Sequence, residues 1–177
     1  VISNWIDLDT THPVQKKENQ IFDEFSISRD KFIVLYAGNF GAAQGAEIVL
    51  DVAKELQAES EIQFVIFGGG TEYQAALKYA NSLPNVFIHP LLSQNRVSEV
   101  YSMGDVAIIT CKKGVGKSGM PSKTWSIMAC NTPIIASFDL KSEMETVISD
   151  AKAGTCIEPE NKTALLTEIQ KYFIARN

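Results

Sequence analysis

The 177-residue chain carries 16 Lys and Arg against 21 Asp and Glu, a net charge of −5, which argues against general nucleic-acid binding while leaving room for one local basic site. Hydrophobic residues at 45% and charged residues at 21% are ordinary globular values, so disordered and fibrous classes are excluded. The length suits one domain able to bury a sizeable core.

In chain order, residues 1–13 (VISNWIDLDTTHP) are mixed and turn-rich and read as an arriving linker. Residues 15–30 are polar with scattered Ile21, Phe22 and Phe25, which predicts a short helix on the outside of the domain. Residues 1–30 are therefore assigned to an interdomain linker and packing segment, and 31–177 to a ligand-binding domain. The run FIVLYA at 32–37 is continuous, apolar and β-branched, as in a strand covered on both faces. After it, Ile48, Val52 and Leu56 fall four apart, with Val49 and Ala53 beside them, and predict an amphipathic helix of roughly four turns.

A second buried strand spans 62–67 and ends in Gly68, Gly69 and Gly70. Thr71 and Gln74 have capping-box spacing for the next helix, to about Ser82. A short third strand is expected at 86–89, a helix capped by Ser93 running to about Met103, and a fourth strand at 105–110. The loop 111–120 feeds a helix that Ser122 can cap, running through Cys130. A fifth strand at 134–137, a helix opening at Ser142, a sixth strand at 154–157 and a last helix at 162–174 complete the pattern. Strands alternating with helices imply an α/β fold, a doubly wound, Rossmann-like, six-stranded parallel sheet. Ligands in such sheets sit outside the carboxyl ends of the strands, where the glycine-rich loops gather.

The stretch GKSGMPSKTWSIMACNTPIIAS, residues 116–137, carries the clearest ligand signal. A flexible loop feeding a helix N-terminus offers free N–H groups and the positive end of the dipole, and Lys117 and Lys123 add two cations, which suits a diphosphate. Lys123 stands in a first helical turn, where a cation is unfavourable unless an anion lies nearby. Lys117 reads equally as a solvated lysine, and Arg96 as a surface helix residue. Gly38, Gly41 and Gly45 crowd one loop and favour backbone contact with phosphate. Gly68 and Gly70 serve a helix-entry turn equally well. Trp125 and Met128 are spaced for the buried face of their helix.

Other chemistries find little support. GNFGAAQG is not G-x-G-x-x-G, and no acidic residue ends the second strand; no Gly-Lys-Ser/Thr follows those glycines as a P-loop would require. With only His12 and His89, no Ser/His/Asp arrangement is credible, and His89 reads as structural. The three cysteines are widely spaced, show no metal-ligand spacing, and read as buried reduced thiols. No apolar run approaches the ~20 residues that span a bilayer. The chain starts on Val1 rather than Met and is read as a piece of a longer protein.

Taken together, the loops resemble the C-terminal, donor-binding half of a GT-B fold glycosyltransferase of the retaining group 1 family. VISNWID looks like the family's linker strand. VLYAGNFGAAQG and IQFVIFGGG resemble the first two strands with their glycine turns. NVFIHPLLSQNRVSEVYSMGDVAII resembles the third strand, base loop, helix and fourth strand. MPSKTWSIMACNTPIIAS resembles the donor-site helix, and AGTCIEPEN the late strand and turn. These landmarks cover nearly the whole chain.

The resemblance implies transfer of a sugar from a nucleotide diphosphate sugar, a UDP-sugar in most members, with retention and without cofactor or metal. It places the donor against Gly38, Asn39, Gly41, Gln44, Gly45, Gly68, Gly70, Leu91, Lys117, Ser118, Gly119, Met120, Pro121, Ser122, Lys123 and Ser126. The implied partners are the nucleotide sugar and, through an N-terminal domain, an acceptor glycan or lipid-linked sugar. No nucleic acid is implied. The location is cytoplasmic, with peripheral membrane association of the full-length protein as an option.

Two departures stand out. The family's two glutamates, which flank seven residues, fall on Ser118 and Ser126, and its loop Arg and Lys fall near Asn39 and on Gln44. The Pro121-Ser122-Lys123 form resembles a subgroup making surface-polysaccharide or amino-sugar linkages, of the N-acetylfucosamine transferase type. There Lys123, with Lys117, would neutralise the diphosphate and Ser126 would bond ribose. A nucleotide-sugar-binding module without turnover is the alternative reading, and a GT-B-like epimerase, which needs acid–base residues not found here, is a further one.

Overall fold

The computed structural model describes residues 6–176. Its centre is a six-stranded parallel sheet in the order β3-β2-β1-β4-β5-β6. The strands are β1 (Phe32–Asn39), β2 (Ile62–Gly69), β3 (Val86–Pro90), β4 (Val106–Thr110), β5 (Ile134–Ser137) and β6 (Gly154–Ile157). All six stand where the apolar runs predict them, because a strand covered on both faces has no polar side to interrupt its pattern. The first two extend two residues into the glycine loops, paired as Gly38 with Gly68 and Asn39 with Gly69.

Alternate residues of each strand feed opposite cores. Phe32, Val34 and Tyr36 pack with Ile62, Phe64 and Ile66 beneath α2 (Glu47–Glu55), α3 (Tyr73–Ala80) and α7 (Lys162–Ala175). Ile33, Leu35 and Ala37 pack with Val65 and Phe67 beneath α1 (Ile21–Glu24), α4 (Val97–Ser102), α5 (Lys123–Ala129) and α6 (Glu143–Asp150). Each fully buried Ile or Phe contributes about 1.5–3 kcal/mol of transfer free energy, so these two layers supply most of the driving force for folding. Ile21 and Phe22 of α1 are 0% and 1% exposed, so that short helix belongs to the second core rather than to the outside of the domain.

Helix ends depart from expectation more than strands do. Helix α2 has 9 residues, nearer two and a half turns than four. Ser122 precedes α5 but already has helical angles (φ −57°, ψ −31°) and makes no capping bond. A capping side chain needs an extended backbone to reach back to the second or third N–H. Thr71 caps nothing either. Helix α3 starts at Tyr73, and the Glu72 and Tyr73 N–H groups donate to the Phe40 and Gly70 carbonyls. Ser93 is extended, but a 3₁₀ turn over Gln94–Arg96 intervenes before α4, and its hydroxyl lies 2.5 Å from Asn95 Oδ1 instead. Ser142 does cap α6, accepting from the Glu145 N–H at 3.4 Å. On α5 the buried face is Thr124 and Ile127; Trp125 and Met128 are only half-buried.

Of the predicted linker strand, residues 1–5 lie outside the described residues, and Ile6 and Asp7 are not in a strand. Cys111 and Cys130 are buried free thiols, and Cys156 is half-buried.

Candidate functional site

Strand order reverses between β1, whose connection leads to β2 on one side, and β4, whose connection leads to β5 on the other. Their carboxyl ends therefore diverge and leave a crevice, the usual ligand position in open parallel sheets. Two cavities open there. The first, about 290 Å³, lies between Ala37, Gly38 and Asn39 at the end of β1 and Leu91, Leu92 and Ser93 after β3, with Val97, Val100 and Tyr101 of α4 behind. The second, about 340 Å³, lies under the β4–α5 loop, against Thr110, Cys111, Gly116, Gly119, Met120 and Pro121. Gln44 and Lys123 line both.

Lys123 enters from α5, on one face of the sheet, and crosses the end of β1 toward the other. Its Nζ donates to the Ala37 carbonyl at 3.1 Å and lies 5.0 Å from the centre of the Tyr36 ring. A Cβ on residue 38 would collide with that Nζ, so glycine at this position clears the path of the lysine. No Asp or Glu among the described residues pairs with Lys123 within 4.0 Å, and burial pushes its ammonium down to about 8. A half-buried cation without a carboxylate partner at the end of a sheet is costly unless an anion arrives.

The flanking loops are held by the protein itself. Tyr36 is fully buried and its hydroxyl donates to the Asn39 carbonyl at 2.8 Å. Phe40 sits on Tyr36, with ring centres 5.3 Å apart. Gly68 and Gly70 make room for Phe40, since an added Cβ would come within 2.8 Å of its ring or 2.6 Å of its carbonyl oxygen. Gly45, at φ +58°, turns the loop beneath Lys112, which bridges Glu47 and Glu160. On the other side Asp139, 6% exposed, accepts the N–H groups of Gly114 at 2.9 Å and Gly116 at 2.8 Å and so shapes the β4–α5 loop.

Of the residues singled out from sequence, Gly38, Asn39, Gln44, Leu91 and Lys123 line the first cavity; Gln44, Gly119, Met120, Pro121 and Lys123 line the second. Gly41, Gly45, Gly68 and Gly70 line neither and act on loop shape. Lys117 and Ser122 are exposed and line neither. Ser126 lines a separate cavity of about 650 Å³ with Asp7, Thr10, Gln94, Asn95 and Val97. The Ser118 side chain lies outside the described residues.

His89 is off both cavities, packed 4.4 Å from Phe25 and 5.8 Å from Phe67, with burial lowering its pKa. Arg96 pairs with Glu24 and Glu99 and ties α1 to α4. Sequence reasoning missed Tyr101, Thr110 and Asp139. The last had a signal, an acid just past an apolar strand at the ligand edge. Among the described residues no three His, Cys, Asp or Glu side chains converge as metal ligands, and no helix is long and apolar enough to cross a membrane.

Residues 17–176 match the sequence profile of the glycosyl transferases group 1, and the chain belongs to that family. It is 26% identical over 171 residues to WcaI of Escherichia coli (strain K12), named as a glycosyl transferase of colanic acid biosynthesis. That match takes in 95% of this chain and 42% of WcaI, so the chain spans less than half the length of this relative. The C-terminal domain of LpcC from Francisella tularensis, a group 1 family glycosyl transferase, superposes with a TM-score of 0.74 at 14% identity. That superposition covers 96% of this chain and 88% of the LpcC structure. The pneumococcal O-GlcNAc transferase GtfA, solved with UDP and GlcNAc, gives a TM-score of 0.67 at 17% identity over 86% of this chain and 31% of its own. The two structural likenesses establish a shared Rossmann-like GT-B domain fold.

Proposed function

We propose that the chain is the donor-binding half of a glycosyltransferase that moves a sugar from a nucleotide diphosphate sugar, UDP-linked, to a growing surface polysaccharide or lipid-linked acceptor, with retention. The observation that carries this reading is Lys123, a half-buried cation without a carboxylate partner among the described residues, shared by two adjoining cavities at the switch in strand order. Two cavities joined at one cation suit a ligand with a diphosphate in the middle, a nucleoside on one side and a sugar on the other. The relative named for colanic acid biosynthesis supports the polysaccharide assignment, and the neighbour solved with UDP supports the nucleotide.

In this reading negative charge builds on the diphosphate as the glycosidic bond breaks, and Lys123 meets it where water is scarce and a charge counts for most. The Gly38 and Asn39 backbone approaches the phosphates, Leu91 borders the nucleoside, and the loop shaped by Asp139 covers the sugar. The countercharge comes from the protein, so UDP binding is expected to be unchanged by EDTA. The acceptor and its binding groups belong to a further domain, at the cytoplasmic side.

Calorimetric titration with UDP tests the reading. Binding that weakens about tenfold in Lys123→Ala, or about 1.4 kcal/mol, supports it, and GDP binding in place of UDP keeps the class but changes the donor. No nucleotide binding by the wild-type chain contradicts it.

A second reading, a nucleotide-sugar module without turnover, is favoured by one observation. Among the described residues no Asp or Glu lines either cavity, and Ser126, where the family resemblance puts a glutamate, lines another. Transfer by the full-length protein to a lipid-linked acceptor separates the two.

A further inference from the structure

We propose that Tyr101 reads the base of the donor nucleotide: its hydroxyl, at the floor of the first cavity, donates a hydrogen bond to a carbonyl on the edge of a keto base such as uracil. This inference rests on the donor reading above and adds to it the residue that selects the base.

Tyr101 is 9% exposed, belongs to the second core and lines the first cavity. Its carbonyl accepts from the Thr132 hydroxyl at 2.7 Å, which pins the backbone. Its own hydroxyl has no hydrogen-bond partner among the described residues and is not sealed from solvent. The small open part of this side chain therefore includes the hydroxyl, and the cavity is what it opens on.

The direction follows from the helix. In this parallel sheet α4 runs against the strands, so it starts at their carboxyl edge, and helical side chains lean toward the helix N-terminus. Tyr101 stands one turn beyond Val97, at the far end of α4. Its ring reaches back from below and brings the hydroxyl to the cavity floor.

The walls above that floor are apolar: Phe67 from β2, Leu92 from the loop after β3, and Val97 and Val100 from α4. Asn39 and Ser93 are exposed and stand at the mouth, and Lys123 is held at the Ala37 carbonyl, on the junction with the second cavity. A flat ring suits such a slot. Its faces pass between the apolar walls, and its polar edge, stripped of water, needs a partner at the floor. A phosphate is a poor occupant at that depth, because the cation that would answer it lies at the junction. At about 290 Å³ the cavity is at the small end for a ligand site, which favours a one-ring base. A tyrosine hydroxyl both gives and accepts a hydrogen bond. Burial pushes this one up to about 12, so its proton stays in place at neutral pH and is available to a carbonyl oxygen.

The test is Tyr101→Phe, which removes one oxygen and keeps the ring. Calorimetric titration with UDP is expected to show affinity about three- to tenfold lower than in the wild type, the size of one hydrogen bond. The free variant should melt no lower than the wild type, since the hydroxyl has no partner inside the protein to lose. A crystal structure of the wild-type chain with UDP should place Tyr101 Oη about 2.8 Å from a uracil carbonyl oxygen. Unchanged UDP affinity overturns the assignment, because the hydroxyl is then unused. A lower melting temperature of the free variant also overturns it, because the hydroxyl then serves the fold. So does a complex in which Oη meets ribose, phosphate or no ligand atom. In each of these cases UDP still binds and the donor site stands. Absence of UDP binding by the wild type overturns both.

Discussion

Lys123 Nζ and the Ala37 carbonyl meet at 3.1 Å across 86 residues of chain, and that bond carries a cation from α5 over the carboxyl end of β1. The strand end, the helix and the two cavities on either side become one site through this contact. Gly38 permits it by lacking a Cβ, and the Tyr36 ring forms its floor.

Gly38→Ala should therefore weaken UDP binding about as much as Lys123→Ala, roughly tenfold, with little loss of stability. The added methyl meets the far end of a flexible side chain, which swings away instead of straining the core. Titration calorimetry beside thermal unfolding checks this. A variant that binds UDP normally would show that the lysine position does not matter.

Asp139→Ala removes two charge-assisted bonds that hold the β4–α5 loop and leaves the buried Gly116 N–H without its acceptor. Such a loss costs about 2 kcal/mol, or about 4–8 °C in Tm for a chain of this size. Amide exchange at Gly114 and Gly116 should accelerate first. An unchanged melting temperature and unchanged exchange would mean that the loop keeps its shape without the carboxylate.

His89 gives a pH dependence with a defined sign. Burial between Phe25 and Phe67 lowers its pKa below the usual 6.5, so the neutral ring is the form the fold holds. Its contribution to stability is complete above the unfolded value and is lost as pH falls through the folded value. Urea midpoints measured from about pH 7 down to pH 5 should fall for the wild type and fall less for His89→Phe. Parallel losses in both proteins would assign the acid sensitivity to other groups.

Much of the fold was legible because a parallel sheet covered on both faces demands unbroken apolar runs, and FIVLYA, IQFVIF and DVAIIT have no other simple use. Helix starts were less legible. Thr71 and Ser122 look like caps by residue type, yet capping depends on the local backbone: Ser122 is already helical, and before α3 the Phe40 and Gly70 carbonyls take the Glu72 and Tyr73 N–H groups. In the site, Lys123 could be read from its cost in a first helical turn. The roles of Gly68 and Gly70 could not, because what they make room for is Phe40, some thirty residues earlier. The cavity that Ser126 meets was not legible for a related reason: one sequence position on a seven-residue helix decides which cavity a side chain lines.

The donor site stands or falls on a diphosphate at the junction of the two cavities. A crystal structure of this chain with UDP tests it most directly. The expected result is a phosphate oxygen about 3 Å from Lys123 Nζ, with the nucleoside toward Leu91. UDP bound with its phosphates away from Lys123 would contradict it.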